Sequence, residues 1–555
     1  MYIRKTTRKN KNGTITSYIQ LAHNEWNPDK RRSEVKVLYN FGREEEVDRD
    51  ALERLLASVA KFLGPEEFVR HCNRDKQNVQ CLSSRPMGGT YLLDMLWRRL
   101  NIKQEIEALL LARNYKIPVE RAVFAMVANR VLAPGSKLAV EDWVKQDVHI
   151  DGLSEIPVQN LYRSMDFLLE AQEELQKNIF FEVSNLLNLE VDLLYFDTTS
   201  TYFEIEGADE ADSEKQNIRQ YGNSKDHRPD RPQTVIGLAV TRDGIPVRCW
   251  SWPGNTADMS VVEEVKKDLM GWKLGRVISV MDRGFCSDDN LRTLQRGGGH
   301  YIIGEKLRSG KKDVEEALSK RGPFTKVNEK MEIKEIIVGD GKARKRYVLV
   351  RNPAQEKRDK EKREETIKRL QEELDAIGEL KGEAHTKSIC RLVAHPAYGR
   401  YIKLLSNGQP RLDKAKIKQE EKLDGKYLIR TSDDTLRPED VALGYKQLVD
   451  IEDAFRTIKQ TLEIRPIYHR LSDRIRAHVL LCWLGLLLIR IAENETGHTW
   501  REIVKAADKI HLVEFLTDGG YVKQRTQINK MQKNIFKRLN IATPPEILAF
   551  EAKTT

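Results

Sequence analysis

A mixed α/β core, preceded by helices and interrupted by a β-rich segment, is the fold class this sequence predicts, on three observations. The short apolar runs Leu193–Phe196 and Val277–Met281 have the length and composition of strands buried on both faces. Val235–Thr241 and Ile245–Trp252 flank Asp243-Gly244, the dipeptide of a tight hairpin turn. Asp258–Met270, and later the stretch from Pro438 to Asn494, switch to helical spacing. With Tyr301–Gly304 as a further strand, the order strand, hairpin, helix, strand, helix, strand describes one sheet with helices packed on it.

Residues 1–87 read as a small β unit plus a helix. Asn12-Gly13 is a hairpin signal, and Val35, Val37, Tyr39 and Phe41 alternate as one face of a strand. Arg4, Lys5, Arg8, Lys9, Lys11, Lys30, Arg31 and Arg32 surround it. Such side chains grip phosphates without reading bases, or simply keep a strand edge charged and unaggregated. Residues 88–190 read as helical. Pro118 stands where a helix begins, and Pro134-Gly135-Ser136 stops it and caps the next. The pair resembles a helix-turn-helix, a pattern most helical bundles also contain. Leu161, Met165, Leu168, Leu175, Ile179, Val183 and Leu186 form an apolar stripe, core-facing first and partner-binding second.

Residues 191–304 make the first part of the core and 431–500 its last part. Between them, 305–430 reads as an inserted β-rich domain with strands at Ile333–Val338, Arg346–Val350, Tyr401–Leu405 and Tyr427–Thr431. It carries one highly charged helix near 355–380, in which Ile367, Leu370, Leu374 and Ile377 form a short coiled-coil-like seam, too short to predict a dimer. Residues 501–555 read as a basic helical tail with Lys523, Arg525, Lys530, Lys533, Lys537 and Arg538.

The 555 residues allow three or four domains, and a 40% apolar content is enough for packed cores. Lys and Arg outnumber Asp and Glu by 94 to 84, a net charge of +10. That balance favours a polyanionic partner, nucleic acid before an anionic membrane. The N-terminus is basic but is not followed by the apolar stretch of a signal peptide. The most apolar run, Val479–Ile489, falls short of the roughly 20 residues a bilayer-spanning helix needs, so it reads as a buried core helix. No membrane association is expected. The six cysteines include no Cys-x-x-Cys pair, which fits a reducing cytoplasm and argues against disulfides or structural zinc.

Candidate chemistry rests on three carboxylates. Asp197 and Asp282 directly follow the two buried runs. A carboxylate there is costly unless it is hydrogen-bonded, paired or bound to a metal. On neighbouring strands the two can share a cation; taken singly, each also fits a turn or helix-cap aspartate. Glu452 lies on a helix whose apolar stripe is Leu448, Ile451, Phe455, Ile458 and Leu462, which lines it up with Arg456 and Lys459. By periodicity alone it is an exposed Glu–Arg pair, worth about 0.3–0.5 kcal/mol.

Four segments change that weighting. The stretch Tyr445 to Lys459 resembles the motif of bacterial insertion-sequence transposases of the DDE class, which runs Tyr, two residues, Arg, three residues, Glu, six residues, Lys. Tyr445, Glu452 and Lys459 fall in register; Leu448 stands at the Arg position, and Arg456 offers a replacement charge on the same helix. Tyr195-Phe-Asp197-Thr-Thr-Ser-Thr201 is similar to the first catalytic strand of these enzymes and Val280-Met-Asp282-Arg-Gly-Phe285 to the second. Trp252-Pro-Gly-Asn-Thr-Ala-Asp258 and the loop Tyr221-Gly-Asn-Ser-Lys225-Asp-His-Arg228-Pro-Asp230 also look like segments of this group. Together the matches span roughly residues 190–490 in the right order.

The resemblance implies an RNase H-like catalytic core and a transposase that cuts element ends and joins them to target DNA, often through a hairpin. It implies two Mg²⁺ ions, with Mn²⁺ as substitute, held by Asp197, Asp282 and Glu452, Asp197 bridging the pair. Tyr445, Arg456 and Lys459 are then expected on phosphates beside the scissile bond, with Lys225 and Arg228 as weaker phosphate contacts. Trp252 is expected either to stack on an unpaired base or to sit in the core. Double-stranded DNA is the expected partner, a homodimer on paired ends the expected assembly, and the nucleoid in the cytoplasm the expected location. Residues 88–190 would bind DNA ends. The rival readings are a metal-dependent nuclease without strand transfer and a non-catalytic DNA-binding regulator derived from a transposase.

Overall fold

Alternating polar and apolar residues at the N-terminus form three antiparallel strands, β1 (Tyr2–Lys9), β2 (Ile15–Asn27) and β3 (Arg32–Arg43), followed by the helix Arg49–Leu63 and the strand β4 (Gln80–Pro86). The computed structural model describes residues 1–10, 15–28, 30–63, 79–189, 192–210, 217–272, 274, 276–378, 382–517 and 520–552; Asn12-Gly13 and Lys11 lie outside them. Val35, Val37, Tyr39 and Phe41 do not share one face. Val35 and Val37 pair with Asn24 and Ala22, Tyr39 pairs with Leu21, and the irregularity between them leaves Leu38 unpaired and reverses the alternation.

The chain divides into two units: residues 1–86, 510–528 and 544–555 form one, residues 87–509 and 529–543 the other. The larger unit begins with helices. Val119–Leu132 starts after Pro118, and Lys137–Asp142 is capped by Ser136, whose hydroxyl accepts from the Ala139 N–H at 3.1 Å. The long apolar stripe is split over Val158–Glu170 and Gln172–Leu187, separated at Ala171, which leaves Leu186 exposed.

The sheet of this unit explains the site. Strands β5 (Leu193–Tyr202), β6 (Gln233–Val240) and β7 (Pro246–Pro253) form an antiparallel meander. Strands β8 (Ile278–Met281) and β9 (His300–Glu305) join β5 in parallel, reached through the helices Val262–Met270 and Asp288–Gln295. Next in the chain come β10 (Thr325–Asn328), β11 (Met331–Val338), β12 (Lys345–Arg351), a separate small pair β13 (Ile402–Leu404) and β14 (Pro410–Leu412), then β15 (Lys426–Thr431). The full order is β10-β11-β12-β15-β9-β8-β5-β6-β7, so four strands from residues 305–430 extend the core sheet itself. The charged helix of this segment, Pro353–Gly378, turns Leu370 and Ile377 onto Ile389, Leu392 and Tyr401 of the same chain, which uses its apolar seam internally.

Beneath the meander, Phe196, Trp250, Trp252, Trp272, Phe285 and Ile303 belong to one buried cluster. The helix Ser472–Thr496 is long and apolar enough to cross a bilayer, yet 89% of its most apolar stretch is buried inside the protein, as in the central helix of a packed domain. It contacts β7 and the helices Val119–Leu132 and Val158–Glu170.

The C-terminal residues are only partly helical. Trp500–Ala507 and Lys530–Arg538 are helices, whereas β16 (His511–Thr517), β17 (Gly520–Arg525) and β18 (Ile547–Ala552) complete with β4 a four-stranded sheet of the smaller unit. Buried Glu514 accepts from Ser83 of β4 at 2.8 Å and pairs with Lys523 of β17 at 3.4 Å, tying distant parts of the chain together.

Candidate active site

The two aspartates are brought together by strand register. In the parallel pair β5–β8, Phe196 lies opposite Met281, so Asp197 and Asp282 occupy the next position on adjoining strands. Asp197 is not at a strand end. β5 runs on to Tyr202 because β6 continues to pair with it, Asp197 opposite Leu238; only the β8 partner stops at Met281. Half of the strand's hydrogen bonding ends at this level, which opens a cleft above the carboxylate.

Asp197 is crowded by protein on most sides, and 25% of its side chain stays open to the cleft. Burial pushes its carboxyl up to about 6, a rise to which the charges of Asp282 and Asp258 add; nearby Lys225 and the Thr198 N–H at 2.7 Å oppose it. Lys225 lies 3.8 Å from Asp197 and 3.1 Å from Asp258. It also donates to the Thr198 carbonyl and hydroxyl, both at 2.7 Å, while that hydroxyl donates to Asp258 at 2.6 Å.

Asp282 is exposed and accepts a hydrogen bond from the Tyr445 hydroxyl at 3.1 Å. Tyr445 sits at the end of the helix Pro438–Lys446 and reaches the carboxylate over Gly304 of β9. Any Cβ at Gly304 would collide with that hydroxyl. The ring of Tyr427 on β15 supports Tyr445 from 5.8 Å. Glu452 projects from the next helix, Val449–Arg456, and its carboxylate makes no hydrogen bond or ion pair with another described residue. Asp197, Asp282 and Glu452, with Tyr427, Tyr445 and Leu448, line one cleft of about 580 Å³. Asp282, Tyr445 and Glu452 also border a wider groove of about 1060 Å³ leading to the helix Pro353–Gly378.

The other anticipated residues do not line the cleft. Trp252 is a core residue: it is buried, stacked parallel to Trp250, and its indole N–H donates to Glu264 at 2.8 Å, so no ring face is left for a base. Lys225 serves the carboxylates and Arg228 is paired with Asp230 at 2.8 Å. Arg456 is exposed and paired with Asp453 on the same helix. Lys459 is held by Asp226 at 2.8 Å, together with Arg465 at 3.2 Å. Asp258, Thr198, Gly304 and Asp226 are neighbours the sequence reading did not single out. Asp258, Thr198 and Asp226 do lie in the quoted segments; Gly304 had no signal beyond ending an apolar run.

The donor set suits a hard divalent cation, since three carboxylates face one cleft and positive charge would relieve the repulsion between largely buried Asp197 and exposed Asp282. Among the described residues, no three His, Cys, Asp or Glu side chains converge tightly enough to enclose one ion.

Two family models match this chain. Residues 212–489 match the family model for the transposase DDE domain, a span that includes Asp282 and Glu452 and begins after Asp197. Residues 3–67 match the N-terminal domain of IS1634 family transposases. No curated protein matches the chain. Among solved structures, a piggyBac transposase synaptic complex with hairpin DNA aligns over 76% of this chain and 79% of its own at 9% identity, with a TM-score of 0.35, too loose a likeness to carry an argument. The DDE match covers just over half of the 555 residues and the second match covers the N-terminus, so the chain belongs to the DDE transposases, with an N-terminal domain of the IS1634 insertion-sequence family.

Proposed function

We propose that this transposase cuts the ends of its insertion sequence and joins them to target DNA at the cleft formed by Asp197, Asp282 and Glu452. The observation that carries the reading is the shared cleft: two aspartates at one level of adjoining parallel strands, and a glutamate from the helix that follows Tyr445. The order β7-β6-β5-β8-β9, antiparallel then parallel, supports an RNase H-like core enlarged by residues 305–430.

Asp197, Asp282 and Glu452 would hold two Mg²⁺ ions, or Mn²⁺ in their place. When bound, such ions activate the attacking oxygen and neutralise the leaving one. The chain's own residues prepare that chemistry. Tyr445 orients Asp282 through its hydroxyl, and the parallel strand pair fixes the separation of the two aspartates. Arg283, Lys306 and Lys362 border the wider groove and make no ion pair with another described residue, which suits them to phosphates of the bound DNA. Lys459 and Arg465 reach a phosphate by exchanging it for Asp226. Action as a dimer on paired ends, a hairpin step and a place at the nucleoid rest on the resemblance of the motifs.

The test is cleavage of DNA carrying the element's ends, in Mg²⁺ or EDTA, by wild type and Glu452→Gln. Mg²⁺-dependent cutting that the variant loses while still binding DNA is expected, and joined products establish strand transfer. Unchanged cutting by Glu452→Gln would remove Glu452 from the site.

A further inference from the structure

The Trp252–Asp258 segment ends on a carboxylate outside the three proposed to hold the cations, Asp197, Asp282 and Glu452. Asp258 opens a short helical turn after β7, and its two oxygens are divided between two partners. One accepts from the Thr198 hydroxyl at 2.6 Å, the other faces the Lys225 ammonium at 3.1 Å. Thr198 is next in chain to Asp197 and gives the same ammonium two acceptors at 2.7 Å. Lys225 is therefore held on three sides, and its remaining direction is toward Asp197 at 3.8 Å, a weaker approach than that to Asp258. The loop bearing Lys225 is fixed from behind as well, because the Lys225 N–H donates to the Ser200 hydroxyl at 2.8 Å and Asp226 is paired with Lys459.

We propose that Asp258 is a positioning residue that draws Lys225 back from Asp197 and thereby sets how strongly the carboxylate cleft takes up a divalent cation. Lys225 is a resident positive charge beside Asp197. Close to the carboxylate it competes with an incoming cation; anchored on Asp258 and Thr198 it stays near enough to balance the acidic cluster and far enough to leave the Asp197 oxygens open. Removing the charge of Asp258 lets the ammonium shift onto Asp197. This inference rests on Asp197 being a cation-binding carboxylate.

The experiment measures Mn²⁺ binding to the full chain without DNA, by electron paramagnetic resonance at alkaline pH, so it does not depend on turnover. Asp258→Asn keeps the shape and an oxygen to accept from Thr198. It is expected to weaken Mn²⁺ binding about fivefold, a typical coupling between neighbouring side chains. Lys225→Gln removes the competitor and is expected to tighten binding. The double variant should fall only slightly below Lys225→Gln, because Asp258 acts chiefly through Lys225 and its own charge on Asp197 adds the small remainder. Unchanged binding in Asp258→Asn, or equal effects of that substitution with and without Lys225, overturns the proposal, the latter showing a purely structural role. Wild-type binding that Asp197→Asn leaves intact overturns the catalytic reading of Asp197 and this proposal with it. Thermal melts of each variant identify any that fail to fold, in which case Asp258→Glu, which keeps the charge and should keep wild-type binding, decides between the two.

Discussion

Gly304 is the tightest point of the proposed site. It lies on β9 beside the position of Asp282, and a Cβ there would overlap the Tyr445 hydroxyl and stand 3.0 Å from its ring carbon and 3.2 Å from the Arg283 nitrogen. In Gly304→Ala, Tyr445 must withdraw and its hydrogen bond to Asp282 is lost. A hydrogen bond to a charged group contributes about 1.5–3 kcal/mol, and overpacking costs about 1–3 kcal/mol. The roughly 0.5–1 kcal/mol gained by replacing glycine in a strand offsets only part of this. A net loss of about 2–4 kcal/mol in stability is expected from these ranges. Displacement of Asp282 by about 1 Å should lower end cleavage on the order of a hundredfold. Tyr445→Phe removes the colliding atom, so it should cost only the hydrogen bond, about tenfold in cleavage. In the double variant the collision with the hydroxyl is relieved and only the 3.0 Å and 3.2 Å approaches remain, so stability and cleavage should return most of the way to the level of Tyr445→Phe. The assays are urea unfolding and Mg²⁺-dependent end cleavage. Additive losses, or a Gly304→Ala protein that behaves as wild type, would refute the packing argument.

Two further outcomes follow from buried groups away from the cleft. Lys137 is buried near Arg130 without a carboxylate partner among the described residues, and burial lowers its ammonium to about 7, well below an unfolded lysine. Between these values the unfolded chain binds more protons than the folded one, so stability rises from about pH 7 to about pH 10. Lys137→Met should stabilise the protein at pH 7 by on the order of 3 kcal/mol and flatten that rise in thermal melts across pH; an unaltered slope would show that the ammonium is compensated in the fold. Trp252→Phe loses the hydrogen bond to Glu264 and part of a buried ring. It should lower stability by about 1–2 kcal/mol and leave DNA affinity unchanged, whereas a selective loss of affinity for nicked or unpaired DNA would restore the base-stacking role.

Much of the site was legible in the chain itself, for local reasons. An apolar run ending in a carboxylate is a local pattern that needs only the period of a strand. The spacing from Tyr445 to Lys459 was legible through its resemblance to a transposase motif, not through one helix's period, since Tyr445 and Glu452 stand on successive helices. The hairpin β6–β7 was legible because its turn chemistry lies within two residues. Contacts formed across long stretches of chain were not. β4 pairs with β16, a partner more than four hundred residues away, and neither segment has a pattern that names the other. The strands of residues 305–430 were readable as strands, but their joining the core sheet is decided by the pairing of β15 with β9. Single side chains behaved likewise. Trp252 reads equally well as a base-stacking residue or a core residue until burial is known, and Lys225, Arg228 and Lys459 read as free cations until each is seen against its own aspartate. Residue type and period determined where carboxylates and strands would stand. Only the tertiary structure decided which charges neutralise one another and which stay open to a partner, because electrostatic pairing depends on distance in space, to which sequence spacing is blind beyond a few residues.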